Sequence, residues 1–562
     1  MVLRVAVFEL RQQLRGHVFW VVFAISALMV SGSIWIDELR VGVPGDGLRN
    51  GAAAVARTYL VWSLFYMFTA AAFVSDAALR DQTSGFAPIV EATPAQHADL
   101  LLGRFAGAFA AVAFCFLSVP AALALGPYAP WIAPGTVGPF RLSAHLFAFA
   151  ELALPNLFML SAAFFVLSTA TRSLSAALLV AVVLLVLYGV AGSEVAAVLE
   201  PFGFVAYEAA VGNWSQTARD VRVPELAGAL LLNRVVWIGV GGALVAALLT
   251  MRPRPAWRVH PKSTAHEPTV ATSQARSAPL RFTAATSIVQ FVARTRFEVG
   301  RVVSSPVFAI LLVLGIANAG AALWATDTSA AGPTVQALAE AFRLVPTVVA
   351  LFFAGELVWD EHERRVHSLI GASPMPDAAY LLPKLLAIAL VLAALAVTGA
   401  VVAAALQAAR GHTPGVGALL RLHVLPAAYD WSLVAALALF FQALAPNKVA
   451  GWGYMVLYLI ASLALQRLGF NDPLYRYGRY PGWPLPEPLS GAENAELCRA
   501  YWGAFAVVLT VFALGLIGRG EPDTLRTRLR RLPGRLRGLA GTVGIGAAGV
   551  FVVLLQALLN GR

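Results

Sequence analysis

The feature that most limits what this chain can become is a succession of apolar runs, each about 17–25 residues long. Runs of that length cross a hydrocarbon core as helices, and in lipid only helices or closed barrels satisfy every backbone N–H and C=O. The runs show no period-2 alternation, which excludes barrel strands. Spans are expected at 18–36, 58–75, 105–126, 145–169, 174–192, 233–250, 307–325, 342–358, 385–408, 424–445, 450–466, 500–517 and 539–558. Charged residues are 13% of the chain, against roughly 25% in a soluble domain. Mean hydropathy is +0.73. The expected class is an all-α polytopic membrane protein.

One stretch occurs twice. Phe73–Arg104 and Phe353–Lys384 each lie between two apolar runs. Phe73, Ala92, Pro94, Ala98, Leu101 and Leu102 recur, all at a spacing of 280, as Phe353, Ala372, Pro374, Ala378, Leu381 and Leu382. At the same spacing Asp76 meets Glu356, Asp81 meets Glu361, Thr93 meets Ser373, and Arg104 meets Lys384. An amphipathic segment before the first span recurs too. Phe8-Glu9, Val18-Phe19 and Trp35 match Phe297-Glu298, Val307-Phe308 and Trp324 at a spacing of 289. Two ordered spacings imply a tandem repeat of two six-helix transmembrane units, plus one extra C-terminal helix. The expected divisions are a first unit over 1–251, a basic linker over 252–285, a second unit over 286–518, and a basic segment with the last helix over 519–562.

The net charge of +11 would suit nucleic acid in a soluble protein. In a membrane chain it fits cytoplasmic loops facing anionic lipid, and no nucleic-acid partner is expected. Arg252–Arg301 and Arg519–Arg537 are strongly basic, whereas 193–232 and 467–499 mix acids with arginines. The positive-inside rule then puts the N-terminus and both repeated loops in the cytoplasm of a multi-pass inner-membrane protein. The first run follows Arg4, Arg11 and Arg15 with no clear cleavage site after it, and reads as a signal anchor. Cys115 and Cys498 make no disulfide framework.

Catalytic motifs are lacking. No G-x-x-x-x-G-K-[ST] occurs, so the chain has no Walker phosphate loop and is not expected to be an enzyme. His362 and His367 are five apart, about 140° round a helix, so they miss the one-face spacing of a zincin, and no metal is expected. Glu151, Asn156, Asn318 and Asp430 are polar residues inside apolar spans. Such groups are functional candidates. Asp430 reads as a span-end residue, while Glu151 stays open between function and a structural hydrogen bond. Tryptophans near the span ends suit the interfacial belt. The repeated loop carries the most function. Asp76, Arg80, Asp81, Glu91, Thr93, Pro94 and Arg104, with Glu356, Asp360, Glu361, Arg364, Arg365, Ser373, Pro374 and Lys384, are expected to dock a soluble partner.

The order of these motifs resembles the permeases of ABC exporters of the type-2 (type V, ABCA/ABCG-like) class. The pattern (D/E)-x4-(D/E), A-(T/S)-P and L-L-x-(R/K), the turn Pro201–Gly203, Leu232-Asn233-Arg234, Asn447-Lys448 and Phe470–Gly478 carry it across nearly the whole chain. The resemblance implies that each loop holds a coupling helix docked on a separate ATP-binding subunit, present in two copies. ATP and Mg are expected on that subunit, with no cofactor on this chain. It also implies a connecting helix before the first span of each unit and external re-entrant helices after the fifth. The second half is similar to permeases fused to aminopeptidase-like domains, which leaves room for a separate peptidase-like partner or a role in metalloenzyme maturation. Two other readings compete. A secondary transporter of the major facilitator kind would carry a shorter, differently composed loop after span 2. An intramembrane metalloprotease would need closer histidines. The substrate is not legible; an apolar path would suit lipids, hydrophobic peptides or antibiotics.

Overall fold

The computed structural model describes residues 1–36, 47–94, 96–172, 177, 180–181, 184, 194–251, 284–364, 366–373, 375–480, 492–517 and 525–560. Among the described residues there is no strand. Among the described residues eleven helices are long and apolar enough to cross a membrane, or twelve if one bent pair counts as a single span. The protein is an all-α, multi-pass membrane protein. The expected span 174–192 and the linker lie almost wholly outside the described residues. The chain divides into two compact units, Met1–Ala275 and Arg276–Arg562.

The first unit opens with the amphipathic helix α1 (Val2–Arg15), which Gly16 separates from the apolar α2 (His17–Trp35). Next, α3 runs from Ala52 to Ser84, well past the expected end at 75. Asp76, Arg80 and Asp81 therefore lie on a helix, not in a loop. Gly85, in the left-handed region at φ 77°, closes α3 with its N–H on Gln82 O. A five-residue helix, α4 (Ala87–Glu91), leads to α5 (His97–Phe116), and α6 (Ser118–Leu125) follows it directly. Arg104 thus sits within α5.

The next span is α7 (Leu142–Phe147), a π turn (Ala148–Ala153) and α8 (Leu154–Thr171). Pro155 explains the π turn. It has no N–H to give the carbonyl of Glu151, four residues back, so the wider i→i+5 pattern takes over there. The remaining elements are α9 (Glu194–Leu199), α10 (Phe204–Val211), α11 (Gln216–Val221) and the span α12 (Gly228–Thr250). The core of this unit is aromatic, with Tyr59, Tyr66, Phe116, Phe164 and Phe165 buried.

The second unit begins with α13 (Ala284–Val303) and α14 (Pro306–Trp324), whose first turn is capped by Ser305. Helices α15 (Ala331–Ala341) and α16 (Val345–Glu363) form the bent pair, at 41°. The expected span 342–358 is thus α16, which starts at the bend and continues to Glu363. Asn318 holds the bend, its side-chain amide donating to Ala341 O at 2.6 Å. Then come α17 (His367–Gly371) and the 33-residue α18 (Asp377–Ala409). A short α19 (Val416–Leu419), a second π turn (Leu420–Val424) and α20 (Leu425–Leu444) repeat the π-then-proline pattern at Pro426. Helices α21 (Lys448–Arg467), α22 (Ala492–Leu516), α23 (Leu525–Arg535) and α24 (Leu539–Asn560) complete the unit.

Candidate functional site

The helix ends around α4 and α17 gather the charged residues singled out in the sequence. In the first unit α1 lies along α5 because two glycines leave room. A Cβ at Gly103 would stand 2.6 Å from Val5 Cβ, and one at Gly107 2.6 Å from Glu9 Cβ. This approach buries Glu9 against α3. Arg80 of α3 donates to Glu9 at 2.8 Å and to Asp76 at 2.6 Å. Close by in sequence, Arg104 of α5 donates to Asp81 of α3 at 2.5 Å. Gln13 adds a bond to Phe73 O at 3.1 Å. Helices α1, α3 and α5 are clamped together by these ion pairs and the glutamine bond.

The second unit builds a denser clamp from α13, α16 and α18. Lys384 of α18 is fully buried, 3.2 Å from Glu361 and 3.6 Å from Glu298. Arg294 of α13 bonds Glu298 at 2.6 Å and also reaches Glu361. Arg301 bridges Glu298 at 3.0 Å and Asp360 at 2.8 Å. The Tyr380 hydroxyl donates to Glu361 at 2.6 Å. Burial on this scale requires pairing, because an isolated charge in a low-dielectric interior costs several kcal/mol. Here three cations shielded from solvent match three carboxylates, and the exposed Arg364 adds a fourth contact, to Asp360. Nearby, Lys448 ties Glu356 at 2.8 Å and Glu363 at 3.1 Å.

The two clamps differ in one instructive way. Position 80 is an arginine that meets Glu9; its counterpart at the 280 spacing, position 360, is an aspartate. The cation in the second unit sits instead at Arg301, the counterpart of Gln12 at the 289 spacing. In the first unit the cation of this bridge is on α3, in the second on α13, and both units have an ion pair between these helices.

The docking residues expected from sequence therefore fall into groups. Asp81, Arg104, Glu361 and Lys384 have their partners within their own units, and Glu361 and Lys384 are buried. Asp76, Arg80, Glu356 and Asp360 are likewise paired at helix ends. Arg80 and Asp360 bind helix to helix because α3 and α16 continue beyond the apolar run and carry them over α1 and α13; Glu356 reaches Lys448 of α21, and Asp76 pairs with Arg80 within α3. Arg364 pairs with Asp360 at 2.9 Å and stays exposed. The Thr93 and Ser373 hydroxyls donate to Val90 O and Ile370 O, closing α4 and α17. Pro94 is exposed; Arg365 and Pro374 lie outside the described residues, and Glu91 is the last residue of α4.

What faces outward is the short helices themselves. Ile89 on α4 is 63% exposed, and its counterpart on α17, Leu369, is 75% exposed. Both helices span the same five positions at the 280 spacing, and α5 and α18 begin at that spacing too. The His362 and His367 rings stack at 4.6 Å, 6° from parallel, joining α16 to α17. No cluster of metal-binding side chains occurs among the described residues.

A second buried polar network lies in the first unit. Asn156 donates to Ser63 at 2.8 Å and to Phe202 O at 3.0 Å, and accepts from Arg234 at 2.8 Å. Arg234 is 1% exposed and also donates to Asn233. Asn233 in turn donates to Ala197 O, Val198 O and Glu200 O. The Glu200 carboxylate caps α10 by accepting from the Phe202 and Phe204 amides at 2.8 and 2.5 Å. Gly203, at φ 79°, leaves the space that the Arg234 guanidinium fills, with Cζ 2.6 Å from where a Cβ would stand. The Pro201–Gly203 turn and the Asn233-Arg234 pair, distant in sequence, are one structure. Glu151, by contrast, is half-buried on the π turn and apart from this network. Asp430 is not a bare span-end residue; it pairs with Arg499 at 3.6 Å.

Sequence reasoning passes over Glu9, Glu298, Arg294, Arg301, Tyr380 and Lys448 as site residues. The Glu9–Glu298 match at the 289 spacing is the signal that could have found the first two. The chain matches no model of a known protein family. Nor does it match any curated protein.

Proposed function

We propose that this chain is the membrane-spanning permease subunit of an ABC-type exporter, moving substrate with ATP hydrolysed by a separate nucleotide-binding subunit. In this reading the two units are tandem repeats, and α4 and α17 are the coupling helices of a chain whose N-terminus is cytoplasmic in a bacterial inner membrane. One observation carries it. Two five-residue helices, at matching positions of the repeated stretch, each present an exposed branched aliphatic side chain, Ile89 and Leu369, between the same pair of spans. An apolar anchor on a short, closed helix is what a soluble partner needs at the centre of a contact.

The clamps supply the transmission. A push on α4 acts on α3 and α5, which the Asp81–Arg104 pair holds together, and through Arg80 on α1. In the second unit Glu361 and Glu298 link α16, α18 and α13 in the same way. A nucleotide state shifts the bundle only if the partner binds one arrangement better than the other. The clamps make each arrangement a property of three helices at once. Two such helices call for two copies of the partner, with ATP and Mg on it.

The test is co-purification from native membranes of the tagged full chain beside an Ile89→Asp/Leu369→Asp variant. The expected result is an ATP-hydrolysing cassette subunit retained by the wild type and lost from the variant, with both chains eluting alike on size exclusion. Finding no such subunit with the wild type, and uptake driven by an ion gradient instead, would shift the reading to a secondary transporter.

A further inference from the structure

Helix α23 lies in the chain between α22 and α24, which are both long and apolar enough to cross a membrane. Two of its arginines fasten it to the ends of spans. Arg528 donates to Ala443 O at 2.8 Å and to Ala445 O at 3.0 Å, where α20 stops. Arg535 donates to Ile517 O at 2.8 Å, just past the end of α22. The last carbonyls of a helix have no partner within it, and in a span they mark the depth at which the chain leaves the hydrocarbon. Helix α23 is therefore held at the level of the lipid headgroups.

Its sequence, LRTRLRRLPGR, sorts by side. At about 100° per residue, Leu525, Leu529 and Leu532 form one stripe, with Arg528 and Arg535 on one side of it and Arg526 and Arg530 on the other. The C-terminal end of the stripe packs on α22, where a Cβ on Gly515 would collide with Leu532. Towards the other end Leu525 and Leu529 are 36% and 47% exposed. Arg526 and Arg530, one turn apart, are exposed too, and neither meets a carboxylate among the described residues. Residues 519–537 hold seven arginines against Glu521 and Asp523, and no acid lies between Asp523 and Arg537. Leucines that face outward beside outward-facing arginines suit a helix lying in the plane of a leaflet, its apolar side among the acyl chains.

We propose that α23 is an interfacial helix that binds anionic phospholipid. Leu525 and Leu529 enter the acyl region of the leaflet, and Arg526 and Arg530 donate to the phosphates of the headgroups beside them. Guanidinium forks suit phosphate oxygens, and each cation held near an anionic surface adds to the attraction. The occupant is lipid rather than an acidic soluble protein, because leucines share the exposed side with the arginines at the depth that the carbonyl bonds fix. This inference does not rest on the permease reading and needs neither nucleotide nor a partner subunit.

The test places a bimane fluorophore on Leu529→Cys of the full chain in phosphatidylcholine nanodiscs. The native Cys115 and Cys498 are buried, and a labelled sample without the substitution supplies their background. Phosphatidylcholine or phosphatidylglycerol with brominated acyl chains is added at the same fraction, since bromine quenches the fluorophore on contact. Both lipids should quench, and phosphatidylglycerol about five-fold more effectively, the weight of one arginine near an anionic surface. High salt should shrink that preference. Arg526→Gln/Arg530→Gln should abolish it while quenching by phosphatidylcholine persists, the sign that the helix is still in place. Arg526→Lys/Arg530→Lys should keep most of it. Equal quenching by the two lipids with both arginines present overturns the proposal, as does an unchanged preference in R526Q/R530Q. No quenching by either lipid also overturns it, because the helix then stands clear of the acyl chains and its arginines are left to an acidic protein surface. A preference erased by inorganic phosphate at fixed ionic strength would assign the arginines to the free anion and overturn it likewise.

Discussion

Replacing Lys384 with methionine keeps the length of the side chain and removes one buried charge. The ammonium stands 3.2 Å from Glu361 and 3.6 Å from Glu298, with no exposure to solvent. With it, Lys384, Arg294 and Arg301 offset Glu298, Glu361 and Asp360, and the exposed Arg364 reaches Asp360 from the surface; without it, the buried Glu298 and Glu361 share one cation fewer. Breaking a buried pair by removing one partner costs about 3–5 kcal/mol. Arg294 and the Tyr380 hydroxyl still serve Glu361, which places the expected cost near the lower end, about 3 kcal/mol. Glu361→Gln alone should cost a similar amount, since it strands Lys384. In the double variant the charges balance again, so its loss should fall short of the sum by about 2–3 kcal/mol. The assay is unfolding of the full chain in mixed micelles by increasing dodecyl sulfate, followed by tryptophan fluorescence, for all four members of the cycle. Losses that add to within about 0.5 kcal/mol would refute the reasoning, because residues coupled through one charge cluster cannot behave as independent sites. In the first unit, where Arg104 and Asp81 are 19% and 21% exposed, the same cycle should give a coupling of only about 1 kcal/mol or less.

Further outcomes follow from other parts of the structure. Arg80→Asp puts three carboxylates together at Glu9, Asp76 and position 80, and should destabilise the first unit by about 3 kcal/mol; adding Gln12→Arg, which copies the arrangement of Arg301 and Asp360, should recover at least half in the same micelle assay. Gly203→Ala should cost about 1–2 kcal/mol for the left-handed backbone alone and more because its Cβ displaces Arg234, whereas Gly85→Ala, at a similar φ but with open space around it, should cost only the backbone part.

The membrane class was legible because lipid leaves the backbone so few choices. Hydropathy marks where side chains change character, and that is not where a helix stops. At residue 75 the apolar run ends, yet α3 continues to Ser84 because Arg80 and Asp81 find partners on α1 and α5, and Asp76 pairs with Arg80 along the helix. The same effect carries α16 to Glu363. The recurring spacing picked out Asp81 and Arg104, and Glu361 and Lys384, as a set. It did not say that they bond to each other, since each pair joins two different helices across a turn of chain. Asn156 stood out as a polar residue in an apolar span; its ties to Phe202 and Arg234 depend on how α8, α12 and the Pro201–Gly203 turn pack. The bend between α15 and α16 falls just before Pro346, a local signal that a hydropathy window averages away. Asn318, which secures that bend, reads in the sequence as an isolated polar residue.

The exchange of charge between the two clamps bears on how the chain assembles itself. Both α1 and α13 are amphipathic helices packed along two spans of their own units. Were α1 to settle in the groove meant for α13, Gln12 would stand where Asp360 needs Arg301, and Val5 would stand where Glu361 needs Arg294. Asp360 and Glu361 of α16 would then lose both arginines of α13 and keep only Lys384, Tyr380 and Arg364. Placing α13 against α3 sets Arg301 toward Arg80, like against like. Each helix thus carries charges that suit its own groove, and mispairing is discouraged by repulsion and lost ion pairs.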